Sequence, residues 1–152
     1  SSFIHGAVSM GIEPIKSNYF IKDLAKSKTV YKNPFLEAEL EKHGLNTDEI
    51  WMSILKKDGS VQHLDFPNKG VFKSFVEISP KEIVLQAAQR QKYIDQSQSL
   101  NLMIDPSVSA KDINKLYMYA WEEGVKTLYY QFSKSSAQDF ARNILECSSC
   151  EG

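Results

Sequence analysis

"SPKEIVLQAAQRQKYIDQSQSLNL", Ser79 to Leu102, is the stretch on which the fold turns. Ser79 is placed to cap a helix and Pro80 to open it, since proline suits the first turn, where its missing N–H is not needed. Apolar or small residues recur at Ile83, Ala87 and Ile94, and again at Val84, Ala88 and Leu102. That spacing predicts the longest helix of the chain, with an apolar face toward a core. Its second half, "RQKYIDQSQS", sets Asp95, Gln96, Ser97, Gln98 and Ser99 in a row, so polarity falls on every face. A buried helix of that composition needs hydrogen-bond partners, whereas a solvated C-terminal half needs none.

Upstream, "VFKSFVEIS" reads as a short helix or a strand, and Asp58-Gly59 and Pro67 mark turns before it. "NTDEIWMSILKK" predicts a helix capped by Asn46 or Thr47, with Asp48 and Glu49 at the positive end of the dipole and Ile50, Ile54 and Leu55 on the apolar face. "NPFLEAELEKHG" predicts another, with Pro34 in the first turn, Leu36 and Leu40 one turn apart and Gly44 as the stop. Tyr19 to Ile21 and Lys28 to Lys32 alternate weakly and predict short strands joined by a polar turn; Pro14 argues against helix before them. Downstream, Ser109 caps a helix carrying Ile113, Leu116, Tyr117 and Ala120 on one side and ending at Gly124. "VKTLYYQF" is β-branched and aromatic and predicts a strand, and beyond Phe132 the polar sequence predicts a flexible tail. The expected architecture is α/β, helix-rich with a few short strands.

The 152 residues are 42% hydrophobic and 24% charged with a net charge of −1, the composition of about one globular domain. Lys and Arg are mixed with Asp and Glu along the chain, which gives no footprint for direct nucleic-acid binding. No apolar run approaches the roughly 18 residues of a membrane span, and the N-terminus lacks the features of a signal peptide. A cytoplasmic protein without membrane contact is expected. His5, His43 and His63 are scattered without metal-ligand spacing, so no metal site is expected.

Two features carry chemistry. Cys147 and Cys150 form a Cys-x-x-Cys pair close to the end of the chain. The loop they would close is too small to stabilise the fold much, so dithiol-disulfide cycling is the functional reading and an accidental, oxidisable pair the alternative. Glu146 and Glu151 beside them oppose a lowered thiol pKa. The sixteen residues between Tyr130 and Cys147 reach roughly 50 Å when extended or about 22 Å as a coil, a range suited to a shuttle. Tyr129 and Tyr130 are the second feature. Neighbours on a strand face opposite ways, so one core and one surface tyrosine is the plain structural reading. Contacting rings would instead permit electron transfer in which the phenolic proton leaves with the electron.

The words "IDQSQSLN" (Ile94 to Asn101) and "GVKTLYY" (Gly124 to Tyr130), preceded by "SS…GIEP" and followed by the terminal Cys-x-x-Cys, occur in an order and spacing that resembles the C-terminal portion of the large, catalytic subunit of class I ribonucleotide reductase. The resemblance covers essentially the whole chain and is weakest between Ser27 and Pro80. It implies the C-terminal part of a ten-stranded α/β barrel over residues 1–132, followed by a flexible redox-active tail over 133–152. It implies reduction of ribonucleoside diphosphates to deoxyribonucleoside diphosphates for DNA synthesis by a radical mechanism. Ser1 and Ser2 then match the end of the loop that binds the substrate phosphates. Tyr129 and Tyr130 match the stacked pair that carries the radical toward a cysteine. Cys147 and Cys150 match the tail dithiol that re-reduces the active-site disulfide.

The implied partners are the N-terminal portion of the large subunit, the radical-generating small subunit, thioredoxin or glutaredoxin as reductant, and the substrate. No cofactor is expected on this segment, the metal and radical being supplied by the small subunit. The family's thiyl-forming cysteine, its redox partners and its catalytic Asn and Glu match no residue here, nor do its regulatory nucleotide sites. One piece of a naturally split subunit, or a product cut at the substrate loop, is expected. A free-standing thiol-disulfide protein and a non-enzymatic interaction module are the rival readings.

Overall fold

The computed structural model describes residues 11–24 and 27–133. They form two compact units that meet in sequence between Ile78 and Ser79.

The first unit opens on a hairpin. Strand β1 (Tyr19–Leu24) pairs antiparallel with β2 (Ser27–Lys32), Tyr19 opposite Lys32 and Ile21 opposite Val30. Helix α1 (Pro34–Lys42) starts where Asn33 accepts hydrogen bonds from the N–H groups of Phe35 (3.1 Å) and Leu36 (3.5 Å), relieving donors that no helical carbonyl can reach. It stops at Gly44, whose φ of 68° an L side chain rarely adopts. Helix α2 (Asp48–Lys56) is capped by Thr47, the second of the two residues the sequence offers. Leu36, Leu40, Trp51, Ile54, Val61, Leu64 and Phe66 close the core. Trp51 is the buried anchor of α2, where Ile50 and Leu55 are only half-buried. Its indole N–H donates to Asn46 Oδ1 at 2.7 Å, which satisfies the one polar group of a large apolar ring.

The stretch "VFKSFVEIS" is neither a regular helix nor a strand but part of two 3-10 turns, Lys69–Phe72 and Phe75–Glu77. Glu77 explains the second: its carboxylate accepts from the backbone N–H of Ser74 (2.8 Å), from the Ser74 hydroxyl (2.9 Å) and from the Ser60 hydroxyl (2.5 Å). Asn18, fully buried, ties the unit together. Its Nδ2 donates to the carbonyls of Gly59 (2.9 Å) and Phe72 (2.7 Å), and its Oδ1 accepts from Asn33 Nδ2 (2.8 Å).

The second unit holds α3 (Pro80–Gln91), β3 (Leu102–Met103), α4 (Ala110–Glu122) and β4 (Gln131–Phe132). The apolar face expected of α3 is buried at Ile83, Val84, Ala87 and Ala88. The expected length is not observed: the helix ends at Gln91, and α4 is one residue longer. The reason is side-chain chemistry beyond the last apolar contact. The two N–H groups of Gln91 Nε2 donate to the carbonyls of Ile94 and Gln96, both at 2.9 Å, and draw the chain into a turn. Helix α4 begins with Ser109 Oγ accepting from the Asp112 N–H at 3.2 Å and ends at Gly124, φ 81°. The strand expected over "VKTLYYQF" is reduced to Gln131–Phe132, which pairs parallel with β3, Leu102 opposite Gln131 and Met103 opposite Phe132. No helix among the described residues is long and apolar enough to cross a membrane.

Candidate functional site

The tyrosine pair lies on the segment between α4 and β4, and that segment is stitched along its length to the loop that follows α3. The Lys126 ammonium donates to the Asp95 carbonyl, and the Thr127 hydroxyl donates to the Gln98 carbonyl at 2.9 Å. The Tyr129 N–H donates to the Leu100 carbonyl at 2.8 Å, and the Leu102 N–H to the Tyr130 carbonyl at 2.9 Å. Between them, the Tyr130 N–H donates to Asn101 Oδ1 at 3.2 Å.

The loop that receives these bonds is itself anchored on α3. Gln98 is 5% exposed, and its Nε2 donates to the Ala87 carbonyl (2.8 Å) and Gln91 Oε1 (3.2 Å) while its Oε1 accepts from Arg90 Nε (3.2 Å). A buried amide with both ends bonded fixes a loop at little cost, because no polar atom is left without a partner. Of the consecutive polar residues, Asp95, Gln96, Ser97 and Ser99 are exposed, as the solvated reading expected, though they lie beyond the helix end; Gln98 is the buried one, and its partners are the Ala87 carbonyl and the side chains of Gln91 and Arg90.

On this platform Tyr129 and Tyr130 do not divide between core and surface. Both are exposed, 61% and 57%, and their ring centroids are 4.1 Å apart with the planes tilted by 57°. That spacing is closer than the roughly 4.5–7 Å usual for aromatic pairs. A hydrogen bond to Tyr130, and after it desolvation, holds the Tyr129 phenol above the ordinary tyrosine pKa. The Tyr117 hydroxyl, from α4, donates to Gln131 Oε1 at 3.2 Å and ties the next residue of the segment to that helix.

Ser1, Ser2, Cys147 and Cys150 lie outside the described residues. Among the described residues no group of three or more His, Cys, Asp or Glu side chains is placed to hold a metal ion. What the site offers is two phenol rings in contact and exposed in this chain.

Comparison with known proteins places the chain. The family described as ribonucleotide reductase, barrel domain, matches residues 1–131. The chain is 40% identical over 147 residues to the ribonucleoside-diphosphate reductase large subunit of Invertebrate iridescent virus 6, covering 90% of this chain and 15% of that protein. It is 38% identical over 128 residues to the large subunit of Caenorhabditis elegans, covering 81% and 16%. The solved structure of the Actinobacillus ureae class Id ribonucleotide reductase alpha subunit matches with a TM-score of 0.78 and 53% identity, over 88% of this chain and 24% of that one. This chain therefore spans between about a seventh and a quarter of the length of these relatives. With the family matched over residues 1–131 and the α/β, helix-rich content in agreement, the chain belongs to the ribonucleotide reductase barrel-domain family.

Proposed function

We propose that this chain provides the C-terminal part of the large subunit of a ribonucleoside-diphosphate reductase and serves two oxidation-reduction steps of that enzyme. In the first, Tyr129 and Tyr130 relay a radical. A phenoxyl on one ring takes a hydrogen atom, one electron with one proton, from the phenol of the other, so the oxidised and reduced rings exchange identities with nothing left over. The small subunit supplies the oxidising equivalent, and a cysteine in the rest of the large subunit receives it. In the second step, Cys147 and Cys150 pass two electrons and two protons to the active-site disulfide and become a disulfide themselves, to be reduced by thioredoxin or glutaredoxin. Ser1 and Ser2 contribute hydroxyls to the phosphates of the substrate, a ribonucleoside diphosphate in this reading, and the setting is cytoplasmic.

The observation that carries this reading is the contact of two exposed phenol rings, 4.1 Å between centroids, in a chain of this family. The test is ribonucleoside-diphosphate reduction by this chain together with the remainder of the large subunit and the small subunit, each omitted in turn. Activity is expected only in the complete mixture. Tyr129→Phe keeps the ring and removes the ionisable hydroxyl, so it is expected to abolish turnover while assembly persists. Full turnover by a well-assembled Tyr129→Phe complex refutes the relay.

A further inference from the structure

The hydrogen bonds around the tyrosine pair contain an irregularity. In a parallel ladder each strand offers its neighbour every second N–H, and the bonds are evenly spaced. Continuing the register back from Leu102 opposite Gln131 would bring the Tyr130 N–H to the Leu100 carbonyl. That carbonyl is instead taken by the Tyr129 N–H at 2.8 Å, one residue early. Two successive N–H groups therefore face the same neighbouring segment, which a regular pleat does not allow. The alternation of side chains is suspended between them, as in a β-bulge, where an extra residue re-aims the side chains. This is why two adjacent tyrosines share a side and touch.

The Tyr130 N–H donates instead to a side chain, Asn101 Oδ1, at 3.2 Å. Residues 100–102 thus hold three polar groups of the pair, one each: the Tyr129 N–H on Leu100, the Tyr130 N–H on Asn101 and the Tyr130 carbonyl on Leu102. The outer two bonds are backbone to backbone and available to any sequence. Only the middle one depends on a side chain.

We propose that Asn101 is a positioning residue for the tyrosine relay, its side-chain oxygen bonding the Tyr130 N–H where a regular ladder would use the Leu100 carbonyl, and so holding the irregular backbone that keeps the two rings in contact. The proposal deepens the radical-transfer reading and rests on it for its functional meaning, though the ring contact can be measured apart from it. An amide suits this position, because its oxygen accepts from the Tyr130 N–H of the adjacent segment, whereas an apolar side chain offers no acceptor.

The experiment uses the full 152-residue chain, with tyrosines labelled on the ring and assigned through Tyr129→Phe and Tyr130→Phe. In Asn101→Ala, the Tyr130 amide is expected to exchange roughly tenfold faster, the effect of one hydrogen bond lost. The NOE between the two rings is expected to weaken, and the Tyr129 phenol to titrate closer to the ordinary tyrosine value. Asn101→Asp, which keeps an acceptor oxygen at the same position, is expected to retain the NOE. In the assembled reductase, Asn101→Ala is expected to lower kcat with substrate KM unchanged. A folded Asn101→Ala chain with unchanged ring contact and Tyr129 titration overturns the proposal. Should Asn101→Ala lose its fold, Asn101→Gln moves the oxygen by one methylene: a lost NOE there supports the proposal and a retained one overturns it. Turnover of Tyr129→Phe judges the relay itself, so either idea can fail alone.

Discussion

Replacing Asn18 by Leu tests how the first unit is held together. Asn18 is fully buried, and leucine matches its shape closely enough that the main change is the loss of polar contacts. The backbone bonds survive, since the Asn18 N–H still reaches the Gly59 carbonyl at 3.4 Å and the Asn33 N–H still reaches the Asn18 carbonyl at 2.8 Å. The Gly59 carbonyl therefore keeps a donor. The Phe72 carbonyl loses its side-chain donor, and Asn33 Nδ2 loses its acceptor. A buried group stripped of its partner costs about 1–3 kcal/mol, so two cost about 2–6, and the extra apolar burial of leucine returns about 1–2 kcal/mol. Taking the middle of each range, the net expectation is a loss of about 2–3 kcal/mol, a large part of the stability of a small unit.

Asn18→Asp sharpens the test. At neutral pH its carboxylate would face the carbonyl oxygens of Gly59 and Phe72, whereas the protonated acid can donate to one of them. The folded-state pKa is thus raised above the unfolded value of about 3.9. The stabilising contribution of the protonated acid is fully present below that unfolded value and is lost as pH rises through the folded one. Asn18→Asp should accordingly lie nearer wild type at pH 3 than at pH 7. The assay is urea unfolding followed by tryptophan fluorescence in a Trp121→Phe background, where buried Trp51 alone reports on the first unit. A Leu variant within about 0.5 kcal/mol of the parent, the size of an ordinary surface substitution, would refute the reasoning. So would an Asp variant whose difference from the parent does not change with pH.

Gln98→Leu strands the Arg90 Nε donor and the Gln91 Oε1 acceptor; with one bond to a charged group lost, about 2–4 kcal/mol of destabilisation is expected, with faster amide exchange at Thr127 and Tyr129 as the local signature. His63 has its pKa lowered, first by desolvation and then by the charges of Lys57 and Lys69. The stability it contributes is present above the unfolded value of about 6.5 and lost as pH falls through the folded one, so His63→Gln should flatten the unfolding midpoint between neutral and mildly acidic pH. A midpoint that falls equally in both proteins over that range would count against a role for His63.

Much of the fold was legible because its signals are local. Asn33, Thr47 and Ser109 cap helices with side chains that reach donors two or three residues away, and Gly44 and Gly124 end helices through their own φ angles. The buried face of α3 followed from spacing alone. The end of α3 did not, since the apolar spacing runs on to Leu102 while the amide of Gln91 turns the chain directly after the helix. The turn at Phe75–Glu77 does carry a local signal, Ser74 and Glu77 three positions apart as in a capping box, and only the added bond to Ser60, seventeen positions away, is tertiary. The sequence by itself determined that two tyrosines stand side by side and which family's words surround them. Whether their rings meet was decided by tertiary structure. Strand alternation would have parted them, and it was overridden by bonds to Leu100, Asn101 and Leu102, a segment brought alongside from almost thirty residues earlier.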